Sequence, residues 1–129
     1  MASSRPLFFL ASVLGFLGVA LGAFGAHGLT ARLGPLADGA ARLEWWKTGA
    51  HYHLLHAVAI GLAASLSATR EGRGANVAAI AFSVGVVLFS GSLYLMTVTG
   101  IRALGAITPL GGLAFLVGWA ALGVGGLRP

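Results

Sequence analysis

Apolar residues dominate four stretches of the chain, and short polar segments separate these stretches. The stretches cover residues 7–26, 48–68, 76–98 and 106–127. Each has about the twenty residues that an α-helix needs to cross a hydrocarbon layer ~30 Å thick. The charged residues lie between the stretches rather than within them. The pattern therefore predicts an all-α protein with four transmembrane helices, forming a single integral membrane domain over residues 1–129.

The connections between the four stretches are short, so the helices are expected to alternate in direction. This arrangement is an up-down-up-down four-helix bundle with both termini on the same side of the membrane. Pro109 lies in the first turn of the fourth helix, where a missing N–H costs no intrahelical hydrogen bond. The first apolar stretch is longer than the core of a secretory signal, and we expect it to be retained.

The longest connection, residues 27–47, mixes leucines at helical spacing with charged residues. A Gly34-Pro35 pair interrupts the helical pattern. The mixture predicts a short, broken amphipathic segment in the membrane interface between the first two helices. Trp45 and Trp46 are expected to anchor its far end at the level of the lipid headgroups. An irregular polar loop is the alternative.

Composition excludes a soluble domain and narrows the partners. Of the 129 residues 57% are hydrophobic and only 9% are charged, whereas about a quarter of the residues in a soluble protein are charged. The formal net charge of +5 comes from basic residues that flank apolar spans, which favours anionic lipid headgroups over nucleic acid. The expected partner is the lipid bilayer, together with a second copy of the chain or another membrane protein. The chain contains no cysteine, which excludes disulfides and thiolate metal sites.

The basic residues divide equally between the two predicted sides of the membrane. The terminal side carries Arg5, Arg70, Arg73 and Arg128, and the other side carries Arg32, Arg42, Lys47 and Arg102. On the second side, acidic residues stand beside the basic ones, and the first side has the N-terminal amine. We therefore expect cytoplasmic termini.

Glycine and alanine recur at small-xxx-small spacing in the first and fourth helices, as in Gly18/Gly22 and Ala114/Gly118. Lipid tails are as apolar as leucine, so close van der Waals packing of small residues has to hold a membrane bundle together. The two patterns predict that helices one and four approach each other closely.

Several blocks of the chain resemble the small membrane-protein family called domain of unknown function 423. They are Gly22-Ala23-Phe24-Gly25-Ala26-His27, Trp45, Thr48-Gly49, Tyr52, His56, Leu88-Phe89-Ser90-Gly91-Ser92-Leu93-Tyr94, Arg102, Thr108-Pro109, Gly111-Gly112, Phe115-Leu116 and Gly118-Trp119-Ala120. The blocks lie in the family's order between residues 15 and 121. The resemblance implies four transmembrane helices, a bacterial inner membrane location and no established activity.

These blocks place polar residues from separate helices on the side of the membrane away from the termini. Ionisable groups inside a membrane are costly unless they are paired or used, so we regard this polar cluster as the candidate site. Its members are His27, Tyr52, His56, Ser90, Ser92, Tyr94 and Arg102.

His27 and His56 are the candidate metal ligands, because imidazoles from facing helices can hold a transition metal or ligate a haem. His51 and His53 stand where the resembled family places other polar residues, so the resemblance gives them no such role. The alternative is that His27 and His56 form hydrogen bonds to hydroxyl or backbone groups that fix helix contacts. Arg102 has two interpretations as well: an ion pair with Glu44 that clamps the amphipathic segment, or contact with lipid phosphates.

Three classes of function remain. The favoured one is a non-catalytic structural or accessory component of the membrane, with no cofactor. The alternative is binding or transport of an ion, metal, haem or small molecule through His27, His56, Ser90 and Tyr94. Catalysis is the third class, and it is disfavoured because every acidic residue lies outside the apolar stretches and no nucleophile motif is present.

Overall fold

Four long helices make up the computed structural model, which describes residues 4–128. α1 is Ser4–Leu33, α2 is Gly39–Thr69 and α3 is Gly74–Thr99. A 3-10 turn, Arg102–Ala106, leads into α4, Thr108–Leu127. All four helices are long and apolar enough to cross a membrane, and no strand occurs within the described residues. The prediction of an all-α bundle of four transmembrane helices is confirmed.

The first two helices are longer than the sequence predicted. α1 passes through a π-helical turn, Gly25–Leu29, and continues to Leu33, while α2 already begins at Gly39. The residues predicted to form a separate amphipathic segment are therefore the ends of two long helices, joined only by residues 34–38. Two of the leucines at helical spacing serve helix packing, because Leu29 and Leu33 are buried together with Trp46, whereas Leu36 in the connection is exposed.

Each helix packs mainly against its neighbours in the chain: α1 along α2, α2 along α3, and α3 along α4. α4 also meets α2, whereas contact between α1 and α4 is at most slight. The prediction that helices one and four approach closely was wrong. Gly18 lies against His53 and Leu54 of α2, and Gly22 has no neighbouring atom within 4 Å of where a Cβ would lie. Small-residue spacing marks a close approach but does not identify the partner.

Glycines and phenylalanines interlock along the α3–α4 contact. Gly85 of α3 receives the ring of Phe115, and in return Gly118 of α4 receives the ring of Phe82. At the end of the contact Gly74 meets Gly125, and a Cβ on Gly74 would lie 2.7 Å from the Cα of Gly125. The glycines make room for large rings opposite them, which gives the dispersion contacts that hold helices together in lipid.

The interior of the bundle has an apolar half and a polar half. The half nearer the termini is built from alanines and large apolar side chains, namely Ala59, Ile60, Ala63, Ala78, Ala79, Phe82, Val86 and Phe115. Apart from Ser4 at the start of α1, the buried polar side chains lie from the middle of the bundle towards the opposite end, and they are His53, His56, Ser90, Ser92 and Thr97. The candidate site belongs to this second half.

Candidate functional site

His56 lies near the middle of α2 and is only 2% exposed. Its Nδ1 is 2.7 Å from the backbone oxygen of Tyr52, and its Nε2 is 3.1 Å from the indole Nε1 of Trp119. A carbonyl oxygen only accepts and an indole N–H only donates, so Nδ1 carries the proton and Nε2 accepts. The ring also stacks on Phe115, with centroids 3.6 Å apart. Both nitrogens of this neutral imidazole are therefore occupied by the protein itself.

His53, one turn earlier on α2, is buried as well. Its Nδ1 is 2.9 Å from the hydroxyl oxygen of Tyr94 on α3. Its Nε2 is buried without a hydrogen-bond partner, and its ring lies against Gly18 of α1. His53 thus lies where three helices meet. The sequence analysis gave it no role, and the only signal for one was its position on the same face as His56.

Two serines of α3 connect it to the helices on either side. Ser90 is fully buried, and its hydroxyl donates to the backbone oxygen of Gly49 on α2 at 2.7 Å. Ser92 Oγ is 2.6 Å from Oγ1 of Thr108 at the start of α4 and also donates to the oxygen of Phe89. A Cβ on Gly49 would press on Tyr94 at 3.1 Å. Gly49 therefore permits the close approach that the Ser90 hydrogen bond requires.

Arg42 of α2 binds the C-terminal end of α3, a role that the sequence analysis missed. Its Nε donates to the oxygen of Thr97 at 2.7 Å and its Nη2 to the oxygen of Val98 at 3.1 Å. Thr97 returns a hydrogen bond from its hydroxyl to the oxygen of Arg42. A guanidinium at the negative end of a helix dipole is favourable, and it satisfies carbonyls left over at the helix end. Asp38 lies 3.6 Å from the same guanidinium.

Arg102 does not form the expected ion pair with Glu44. The Cζ of Arg102 lies 5.4 Å from the ring centroid of Trp45, a cation–π contact. Glu44 instead pairs with Lys47 at 3.1 Å on an exposed face. The start of α2, rather than the connection before it, is held to the end of α3, and the arginine that holds it is Arg42.

Trp46 is a core residue and not a headgroup anchor, which corrects the sequence expectation. It is 5% exposed, its indole N–H donates to the oxygen of Leu21 on α1 at 2.7 Å, and its ring lies 4.6 Å from that of Tyr94. Gly25 of α1 leaves the space that the indole fills. The π-helical turn of α1 begins at this same glycine, so the contact and the irregular backbone occur together.

His27 lies apart from the other candidate residues. It is exposed on α1, beyond the contact of Leu21 and Gly25 with Trp46. Because α1 and α2 run antiparallel, His27 is roughly three helical turns from the level of His56, about 15–20 Å along the axis. Within residues 4–128 no group of three or more His, Cys, Asp or Glu side chains is placed to hold a metal ion. The structure does not bring the predicted metal ligands together.

A lateral cleft of about 590 Å³ opens beside His56 between α2 and α4. Its floor is aromatic, because Tyr52, Phe89 and Phe115 lie within 6.1 Å of one another by ring centroids. Leu113, Leu116 and Trp119 form the α4 wall. Most of this lining is apolar, so in a membrane the cleft faces hydrocarbon.

A family model described as "Protein of unknown function (DUF423)" matches residues 21–112, which include His56, Ser90 and Arg42 but not Trp119. The chain belongs to the DUF423 family. No solved structure matches it.

Relatives of this DUF423 protein are found in several bacteria. It is 43% identical to "UPF0382 membrane protein YwdK" of Bacillus subtilis over 92% of this chain and 94% of the relative. It is 40% identical to a UPF0382 membrane protein of Haemophilus influenzae over 92% and 91%. It is 39% identical to "UPF0382 inner membrane protein YgdD" of Escherichia coli K12 over 98% and 92%. Together with its four apolar helices, these relatives identify the DUF423 chain as a small multi-pass membrane protein of unknown biochemical activity.

Proposed function

We propose that this DUF423 protein is a non-catalytic structural or accessory component of the bacterial inner membrane that acts by assembling with another membrane protein or with a second copy of itself. The observation that carries the proposal is the use of the buried polar groups. Ser90, Ser92, Thr97 and His56 each hydrogen-bond to a neighbouring helix. These polar groups therefore hold neighbouring helices together, as a structural component requires.

Among the described residues the Tyr94 hydroxyl lies 2.9 Å from Nδ1 of His53, but His53 is buried between helices and no described acidic side chain lies beside this pair. Ser90 donates to a backbone oxygen rather than to a histidine. Asp38 and Glu44 lie in ion pairs at one end of the bundle, and Glu71 lies in the connection at the other end. A nucleophile needs a base within hydrogen-bond reach, and a proton donor must reach its substrate. This is why we favour a structural function.

α1 offers the surface for assembly. It buries the smallest share of its apolar span among the four helices, because it packs mainly against α2. Gly22 on this helix has nothing within 4 Å of where a Cβ would lie, and Val19, three residues earlier and about one turn away, is 60% exposed. A small residue on a lipid-facing helix lets another helix approach closely, and large apolar side chains next to it add contact area. We therefore assign the association surface to the face of α1 that contains Gly22.

Disulfide crosslinking in native membranes tests this proposal directly, since the natural chain has no cysteine. A Gly22→Cys variant should form a covalent dimer or a defined adduct on oxidation. Val84→Cys, at an exposed position on α3, is the matched control and should stay monomeric. Equal crosslinking at both positions, or none at Gly22→Cys, would contradict the assignment.

The binding alternative has its own measurement. Detergent-purified protein should be colourless and should hold no stoichiometric transition metal, because both nitrogens of His56 are engaged. A Soret band, or copper, iron or zinc at one per chain that is lost in His56→Ala, would replace the structural proposal with a binding function.

A further inference from the structure

A groove of about 720 Å³ runs between α3 and α4 at the end of the bundle that holds the termini. Its volume lies in the range of sites that hold small molecules, about 300–1,000 Å³. Arg73 and Arg128 stand at its outer end. Val77 of α3 and Val117, Ala120 and Val124 of α4 line its length. The groove is separate from the polar half of the bundle and from the cleft beside His56.

The lining of the groove changes from charged to apolar along the membrane normal. Val117, Ala120 and Val124 are spaced so that they share one outward face of α4. Arg128 is eleven positions after Val117, and at 1.5 Å per residue this corresponds to about 16 Å. A ligand that fits has a charged group at the helix ends and an apolar chain that extends towards the bilayer centre.

The charges at this end point to an anion. Both ion pairs within residues 4–128 lie at the opposite end of the bundle, so neither Arg73 nor Arg128 is neutralised by a described acidic side chain. Glu71 is the one acidic residue in this connection, and it is exposed. Arg70 donates to the backbone oxygen of Arg128 at 2.7 Å, and the Arg128 guanidinium lies against Gly72. Arg128 is thereby tied to the connection that carries Arg73.

The first turn of α3 adds backbone donors beside these arginines. Arg73 is its N-cap residue, no side chain caps it, and its first turn holds no acidic residue. The free N–H groups of a helix start and its positive dipole favour a phosphate. This contribution supplements the two guanidinium groups, which fit a phosphate oxygen pair.

We propose that the groove between α3 and α4 binds an anionic phospholipid, with its phosphate between Arg73 and Arg128 and one acyl chain along Val77, Val117, Ala120 and Val124. The bound lipid would fill the space between the ends of two helices that meet at Gly74 and Gly125. It would join these ends as a structural ligand and not as a substrate.

Native mass spectrometry of the full chain in detergent tests the proposal. Dioleoylphosphatidylglycerol and dioleoylphosphatidylcholine, which differ in headgroup but not in acyl chain, are added at equal concentration. We expect the phosphatidylglycerol adduct to be favoured by about tenfold, as two arginines near a lipid phosphate suggest. The double variant Arg73→Gln/Arg128→Gln should bring the two lipids to parity. Arg32→Gln, which removes an exposed arginine at the opposite end, should keep the preference.

A second variant tests the apolar half of the groove without changing any charge. Ala120→Phe places a ring in the groove and should reduce retention of the phosphatidylglycerol by at least about fivefold. If the double arginine variant does not fold, this variant alone tests whether the groove binds the lipid. Equal retention of both lipids by the natural chain, an unchanged preference in the double arginine variant, or unchanged retention of phosphatidylglycerol in Ala120→Phe overturns the proposal. Inorganic phosphate that displaces the lipid adduct completely at millimolar concentration would also overturn it, because the acyl chain would then add nothing.

Discussion

Trp119 of α4 donates its indole N–H to Nε2 of His56 on α2 at 3.1 Å. This hydrogen bond lies near the middle of the bundle, where no polar group from the headgroup region can replace it. The hydrogen bond connects α2 and α4, which are not consecutive in the chain but are in contact. Since Nδ1 of His56 is bonded to Tyr52 of its own helix, the indole is what couples the imidazole to α4.

Replacing Trp119 with Phe should destabilise the protein, because it leaves the buried Nε2 of His56 without a donor. Interhelical hydrogen bonds in membranes contribute about 0.6 kcal/mol on average and up to about 1.7 kcal/mol, and we expect a loss in this range. Unfolding of the detergent-solubilised protein by sodium dodecyl sulfate measures it. In a double-mutant cycle with His56→Leu the two effects should be non-additive. Strict additivity would show that the hydrogen bond does not contribute.

Replacing Arg42 with Gln should weaken the C-terminal end of α3, because two backbone oxygens lose a charged donor. Hydrogen bonds to charged groups contribute about 1.5–3 kcal/mol, and a loss of this order is expected. Arg42→Lys should be intermediate, since it keeps the charge but not the two-pronged geometry. Faster hydrogen exchange at the amides that end α3 reports the change.

Arg32→Gln is the matched control for this experiment, because Arg32 is exposed near the end of α1. It should leave both the stability and the exchange rates of α3 unchanged. If Arg42→Gln behaves in the same way as Arg32→Gln, the guanidinium does not hold the end of α3.

Substitution of leucine for glycine at two positions of α4 should have very different effects on the stability of the protein. Gly118 receives the ring of Phe82, so Gly118→Leu forces α3 and α4 apart, whereas Gly123 has nothing within 4 Å. Overpacking of this kind costs about 1–3 kcal/mol, and occasionally more. Gel filtration after heating in detergent should show aggregation of Gly118→Leu at a lower temperature than the natural chain. Gly123→Leu should behave as the natural chain, and an equal response of both variants would contradict the α3–α4 contact.

Both termini are predicted to face the cytoplasm. In intact cells a membrane-impermeant thiol reagent should label Ala37→Cys, in the connection between α1 and α2, and should not label Glu71→Cys, between α2 and α3. Lysed cells provide the control, because both positions are then accessible. The reverse labelling pattern would place the termini on the outer side of the membrane.

Several features of the molecule followed from the chain alone because they depend on local chemistry. Four runs of apolar residues specify four spanning helices. In lipid an unpaired backbone N–H or C=O group is too costly for an irregular loop or an open sheet edge to cross the membrane. Short connections specify alternating direction, and the Gly34-Pro35 pair specifies where α1 stops. The family assignment also needed only the order and spacing of residues.

Which side chains meet was decided only by the tertiary structure. Trp46 and Trp45 are adjacent, yet Trp46 is buried against α1 and the half-buried Trp45 contacts the exposed Arg102. Arg42 and Arg102 were equivalent by charge, and only Arg42 reaches the end of α3. In a soluble helix the apolar stripe shows which face is buried, but a membrane helix is apolar on the faces that contact lipid as well. Rotation and register of each helix, which place His56 beside Trp119 and leave His27 outside, are therefore not readable from the chain.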